Sequence, residues 1–228
     1  MDQKIKAIIT ALESKFAAHP WHGISIGEKS PASVNAFIEI IPSDTIKYEI
    51  DKPSGHIMVD RPQKFSNNMP CLYGFIPQTY CDTLIGNYCM EKSGKTGIGG
   101  DQDPLDICVL TERNFEQGGI LMEAKVIGGF RMIDGGEADD KIIAVLKGDQ
   151  AYGDVNDIKD MPKMVIDRVR HFFLTYKDLD GGAKNIEITH VYGREEALEV
   201  VKLSNQDYLN KYGDVNEKLA TALVAALN

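Results

Sequence analysis

An α+β chain with a mainly β core, a small closed barrel flanked by helices, is the fold this sequence predicts. Short strand-like runs crowd its first part, longer runs of helical period dominate its last part, and an amphipathic stretch precedes both. Many strands followed by helices favour a closed barrel over an alternating βαβ sheet.

The elements follow in order. Ile5, Ile8, Ile9, Leu12 and Phe16 recur at helical spacing among charges, which predicts an amino-terminal helix over about 2–18 rather than a secretion signal. Pro20 and the stretch from Gly23 to Ser33 read as a connector. Strands are expected at Val34 to Ile41, Thr45 to Asp51 and His56 to Asp60, separated by turns at Pro42-Ser43-Asp44 and Pro53-Ser54-Gly55. Leu105 to Leu110, Ile120 to Ile127, Lys141 to Lys147 and Asn185 to Tyr192 continue the series. Asp160 is the expected cap of a helix from Pro162 to about Lys177, with Met164, Val165, Val169, Phe172, Phe173 and Tyr176 on its apolar face. Arg194 to Tyr212 and Asp214 to Leu227 form a helical tail over about 194–227. Asp82 to Gly100 reads as one long irregular segment, a functional or mobile loop.

A chain of 228 residues can bury a substantial core without disulfides, and one domain over 1–228 is expected. Its net charge of -9 opposes binding to a nucleic acid backbone and suits cations. No run approaches the roughly 20 apolar residues of a membrane span. Cys71, Cys81, Cys89 and Cys108 contain no C-x-x-C pair, so neither zinc nor redox chemistry is indicated. A cytoplasmic protein with reduced thiols follows.

Two motifs are decoys. Cys89 to Thr96 ends like a phosphate-binding P-loop, but Cys89 stands where that motif needs glycine, and Gly97, Gly99 and Gly100 oppose a following helix. Asp101, Asp103 and Glu112 occupy three positions of a calcium loop, yet Asp106 replaces the turn glycine and Pro104 stiffens the backbone.

The remaining chemistry lies in carboxylates. Asp101-Gln102-Asp103-Pro104-Leu105-Asp106 places three acids beside a proline and leads into an apolar strand, an arrangement that aims hard oxygen donors at one region. Alone, this segment is equally a cation site or a solvated acidic turn. A second acidic loop, Asp134 to Lys141, carries glycines that let carboxylates converge. Lys47, Arg61, Tyr73, Lys141, Tyr176 and Lys177 supply groups that could hold phosphate oxygens. Together these are the parts of a phosphoryl-transfer site: cations, an anion clamp and a carboxylate to activate water.

At this point the chain resembles the soluble family I inorganic pyrophosphatases, whose D-x-D-P-x-D segment is matched by Asp101, Asp103, Pro104 and Asp106. Ile38-Glu39-Ile40, Ile46 to Lys52, Val59-Asp60-Arg61, Tyr73-Gly74-Phe75, the Asp134 to Lys141 loop, His171-Phe172-Phe173 and Tyr176-Lys177-Asp178 follow in family order over a core of about 34–180.

The resemblance implies an OB-like five-stranded closed barrel and Mg2+-dependent hydrolysis of inorganic diphosphate, with several ions per site and no covalent enzyme intermediate. It implies that Asp101, Asp106 and Asp139 bind two activating metals, that Asp106 bridges them, and that Asp134 joins Asp139 around metals arriving with substrate. Glu39 and Glu49 would act through water, Asp103 as the general base, and Tyr73 as a supporting hydrogen bond. Lys47, Arg61, Lys141, Tyr176 and Lys177 would hold phosphate. A homo-oligomer, dimer or hexamer, is the implied assembly.

Three features depart from the family pattern: Gln102 in the signature, with its side chain expected to point away from the metals, Met69 where a site tyrosine is common, and the additional helices and loop. A barrel binding nucleic acid or oligosaccharide would need a basic groove with stacking aromatics, which the charge balance and single Trp oppose. The other alternative is a catalytically silent metal-binding relative.

Overall fold

A computed structural model describes residues 3–177 and 186–227; Asp178 and Asn185 of the sequence reading lie outside the described residues. In chain order the elements are α1 (Gln3–Lys15), β1 (Ser33–Ile40), β2 (Ile46–Ile50), β3 (Ile57–Pro62), β4 (Leu72–Phe75), α2 (Thr83–Ser93), β5 (Gly99–Gly100) and β6 (Asp106–Leu110). Then come β7 (Ile120–Asp134), β8 (Glu137–Ala138), β9 (Lys141–Leu146), a 3-10 turn (Ile158–Asp160), α3 (Lys163–Thr175), β10 (Ile186–Gly193), α4 (Arg194–Tyr212) and α5 (Val215–Leu227).

Five strands close the barrel in the order β1, β4, β6, β9, β7, with β7 returning to β1. Every barrel pairing is antiparallel except β6 with β9, which run parallel with Asp106 opposite Lys141. β10 extends the sheet from β7, and β2 with β3 forms a separate hairpin. The expected OB-like barrel is therefore present.

The continuous apolar runs of β6 and β9 have a simple cause: both faces of these strands are buried. Ile107, Val109, Ile142 and Ala144 share one core with Ile85 and Cys89 of α2 and with Ala197, Val200 and Val201 of α4. Their alternates Cys108, Leu110, Ile143 and Val145 pack with Ile166, Val169 and Phe173 of α3. Period-two alternation thus sends each strand's side chains to two different helical layers.

Four expectations need correction. The segment read as irregular contains α2, whose buried face is only Ile85, Gly86 and Cys89. Its first turn is capped from far away: the Asp207 carboxylate on α4 accepts from the backbone N–H groups of Asp82, Leu84 and Ile85. β7 runs past Ile127 to Asp134, because Gly128 makes room for Ile158 and Gly129 for the Tyr192 ring rather than ending the strand. Asp160 does not cap α3; Asp157 caps the 3-10 turn, accepting from Lys159 N, and Pro162 precedes α3. β4, which was not expected as a strand, links β1 to β6. Gly74 allows it, since a Cβ there would lie 1.9 Å from the Phe37 carbonyl oxygen.

No described helix is long and apolar enough to cross a membrane.

Candidate active site

The acidic segment is held from behind by backbone bonds. Cys81 N donates to Asp103 O at 2.9 Å, and Gln102 N donates to Cys81 O at 2.9 Å. Gly100 permits this contact, since a side chain there would meet the Cys81 carbonyl oxygen at 2.3 Å. Gln102 adopts φ of 62°, is exposed, and is not among the residues lining the cleft, in keeping with the expectation for it. Past Pro104, Leu105 N donates to Thr79 Oγ1 at 2.9 Å, and Trp21 Nε1 donates to Thr79 O at 2.8 Å. Trp21 is buried against Tyr80 and Tyr208, and beside it His22 Nδ1 is hydrogen-bonded to the Tyr208 hydroxyl at 2.8 Å. The amino-terminal connector and α4 therefore brace the segment that aims Asp101, Asp103 and Asp106.

These carboxylates meet a cleft with a cavity volume of about 390 Å³. Its floor is buried and charged. Lys141 donates to the carboxylates of both Asp106 and Asp139, and the Tyr73 hydroxyl donates to Asp106 Oδ2 at 2.5 Å. Burial pushes Asp101 up to about 9, helped by repulsion from Asp139 and Asp106. Burial likewise raises Glu39 to about 8, with Asp106 adding to it, although Ile50 N donates to Glu39 Oε1 at 2.7 Å. Burial also lifts Asp106, against the pull of Lys141. For Lys141 burial acts downward, yet the carboxylates of Asp106 and Asp139 outweigh it and hold the ammonium well above its usual range.

The rim is more open. Lys47 on β2 pairs with Glu49 at 2.9 Å and with Asp60 at 2.8 Å, and Arg61 on β3 also meets Asp60. The hairpin register places Lys47 opposite Arg61, so both cations point to one place. Lys177 pairs with Asp134 at 2.6 Å, and Lys52 pairs with Asp103. Tyr176 stacks on Phe172 with ring centroids 5.3 Å apart, forming an aromatic wall with Phe173.

Every expected site residue lines this one cleft: Glu39, Lys47, Glu49, Arg61, Tyr73, Asp101, Asp103, Asp106, Asp134, Asp139, Lys141, Tyr176 and Lys177. Met69 lines it as well, buried where the family commonly has tyrosine. Sequence reasoning missed Lys52, Gln63 and Glu137. Lys52 and Glu137 stood inside quoted segments, and their charge was the available signal; Gln63 had none.

Eight carboxylates line the cleft (Glu39, Glu49, Asp101, Asp103, Asp106, Asp134, Glu137, Asp139) against five basic groups (Lys47, Lys52, Arg61, Lys141, Lys177). Such an acidic surplus would repel a polyanion entering alone. Hard oxygen donors crowded enough to raise one another's proton affinity are what a divalent cation fits. Among the described residues no three acidic, histidine or cysteine side chains are already grouped to hold an ion. Lys141 lies between two of the candidate ligands, supplying the positive charge there.

Comparison with known proteins agrees with this geometry. The inorganic pyrophosphatase family profile matches residues 36–209, which carries the family stretch beyond the expected core and through most of α4. An inorganic pyrophosphatase of Chlamydia caviae is 52% identical over 199 residues, covering 85% of this chain and 92% of the relative. A soluble inorganic pyrophosphatase of Oryza sativa subsp. indica is 37% identical over 202 residues, 88% of this chain and 85% of that protein. The crystal structure of the inorganic pyrophosphatase from Thermus thermophilus superposes with a TM-score of 0.71 at 32% identity, covering 84% of this chain and 99% of that one. The chain belongs to the inorganic pyrophosphatase family.

Proposed function

We propose that this cleft hydrolyses inorganic diphosphate to two orthophosphates, with Asp103 as general base and Mg2+ as the activating cation. The observation that carries the reading is the gathering, in one cleft, of a carboxylate surplus with basic groups from β2, β3, β9 and the end of α3.

Asp101, Asp106 and Asp139 would hold two activating ions, with Asp106 shared between them. Asp134 would join Asp139 around ions that enter with substrate, and Glu39 and Glu49 would act through water. A bound divalent cation supplies Lewis-acid neutralisation of phosphate oxygens and makes a nearby water more acidic.

The chain's own groups do the rest. Asp103 takes the proton from the attacking water, and its partner Lys52 fixes the direction of its carboxylate. Lys47, Arg61, Tyr176 and Lys177 orient the diphosphate and receive the departing phosphate's charge. Lys141 must leave Asp106 or Asp139 to reach a phosphate oxygen, and Tyr73 steadies Asp106 while it does. Neither Ser, Thr, Cys nor His lines the cleft among the described residues, which supports direct attack by water over a covalent intermediate on such a side chain.

Phosphate release from diphosphate and Mg2+, measured with and without a chelator, tests the reading. Chelator-sensitive release is expected; its absence overturns the proposal. A single domain over 1–228, a cytoplasmic location and a homo-oligomer, dimer or hexamer, complete the reading, and light scattering decides the assembly.

A further inference from the structure

Behind the floor of the cleft lies a second charged cluster that touches no part of the proposed reaction. Asp140 separates Asp139 from Lys141; those two line the cleft and Asp140 does not. Its side chain is 1% exposed, as is that of Arg131 on β7, and Arg131 Nε lies 3.2 Å from Asp140 Oδ2. The Tyr192 hydroxyl on β10 donates to the same carboxylate oxygen at 2.9 Å. Arg131 Nη2 donates to Glu196 Oε1 on α4 at 3.0 Å. The guanidinium lies over the ring of Tyr88 on α2 at 4.9 Å and over that of Tyr192 at 5.2 Å. Four elements and the link between β8 and β9 thus converge on one buried ion pair.

Stability does not account for it. A buried ion pair costs desolvation on both sides, and well-packed apolar residues often serve as well or better. Here Arg131 Nε and Asp140 Oδ1 also find no hydrogen-bond partner among the described residues, which adds to that cost. What the pair does fix is direction. Asp139 N donates to Met132 O at 3.0 Å, beside Arg131, so the strand mouth is registered against β7 from the backbone. The ion pair then registers it from the side chain. With Asp140 drawn toward Arg131, Asp139 and Lys141 are presented to the cleft.

We propose that Arg131 and Asp140 are positioning residues, a buried strut through which α2 and α4 set the cleft-side orientation of Asp139 and Lys141. The strut rests on the reading that Asp139 holds a divalent cation. It gives the helix found at residues 83–93 a role: Tyr88 closes one face of the guanidinium.

The test uses the full chain and Mn2+ as probe, with binding followed by electron paramagnetic resonance in the absence of diphosphate. The double variant Arg131→Met/Asp140→Leu removes both charges together and is expected to fold with a native circular dichroism spectrum. Mn2+ affinity should fall about tenfold, as for other groups that orient metal ligands, and kcat should fall while KM changes less. Tyr192→Phe, which deletes one hydroxyl and keeps the packing, should give a smaller loss in the same direction, and it carries the test if the double variant does not fold. Arg131→Lys, which keeps the charge, should recover part of the affinity.

Asp139→Asn is the reference. If it weakens Mn2+ binding while the folded double variant, or Tyr192→Phe in its place, binds like the parent, the strut is overturned alone. If Asp139→Asn also binds like the parent, the ligand assignment fails and takes the strut with it.

Discussion

The floor and the rim of the cleft use the same residue types in opposite ways. On the floor, Lys141 is 3% exposed, pairs with Asp106 and Asp139, and lies over the rings of Tyr73 and Phe173. On the rim, Lys177 and Asp134 are paired with side chains 47% and 25% exposed, and Lys47 holds Asp60 in similar surroundings. Removing one partner from a buried pair leaves a charge without water or counter-charge, whereas an exposed pair contributes only about 0–1 kcal/mol. The floor is therefore fixed before any ligand arrives, at a cost in stability that the rest of the core offsets; on substrate entry Lys141 gives up one of its two carboxylates and keeps the other, while the rim pairs can part altogether. Location, more than residue type, decides which groups are preorganised.

Asp103 is the sharpest challenge to that division, because it is 48% exposed like the rim yet stands on the braced segment of the floor. Asp103→Asn should lower kcat by about 10²–10⁴-fold, the usual contribution of a general base, with an unchanged thermal midpoint. Steady-state phosphate release beside a melting curve reads both; a loss smaller than tenfold would falsify its role as base.

Lys141→Met probes the floor itself. In chelator the variant should lose about 3–5 kcal/mol, since Asp106 and Asp139 are left facing each other. Mg2+ should restore much of the loss by binding the folded form. Urea titration with and without Mg2+ makes the comparison, and a midpoint that ignores the ion would mean the floor is not a cation site.

For the rim, Lys177→Ala should raise KM for diphosphate about tenfold, equivalent to about 1.4 kcal/mol, and leave the melting temperature within the scatter expected of an exposed pair. Destabilisation comparable to that of Lys141→Met would erase the distinction between rim and floor.

The smallest expected effect concerns the support behind the floor. Burial lowers His22 from 6.5 to about 4, with His19 adding to it; Trp21, Tyr208 and Tyr212 face the same ring. The folded chain prefers the neutral imidazole, so its contribution is complete above pH 6.5 and fades as pH falls toward 4. His22→Gln should flatten the dependence of the urea midpoint between pH 7 and 5, and an unchanged slope would exclude His22 as its source.

What the sequence disclosed, and what it did not, follows the range of the interactions. The acidic segment was legible because Pro104 and three aspartates lie within six residues, and β6 and β9 because their apolar runs are unbroken, whereas β4 is only four residues long and includes Gly74. Roles for the distant basic groups came only from the order of several segments taken together. α2 was hidden because its buried face is narrow and its cap, Asp207, lies more than a hundred residues away. The far half of β7 was hidden because Gly128 and Gly129 imitate a break, and their reasons for being glycine, Ile158 and Tyr192, lie on other elements. Lys52 looked like any surface lysine until the hairpin end placed it on Asp103.

The pairing of Asp106 with Lys141 joins positions 35 residues apart across the barrel's single parallel seam. Parallel pairing needs a long crossover and gains nothing until that loop is closed. The seam that sets the floor is thus a late reward of folding, and a chain with most of its helices and hairpins in place still lacks a finished site. Recovery of phosphate release in a refolding experiment consequently times the closing of the barrel, trailing the return of secondary structure.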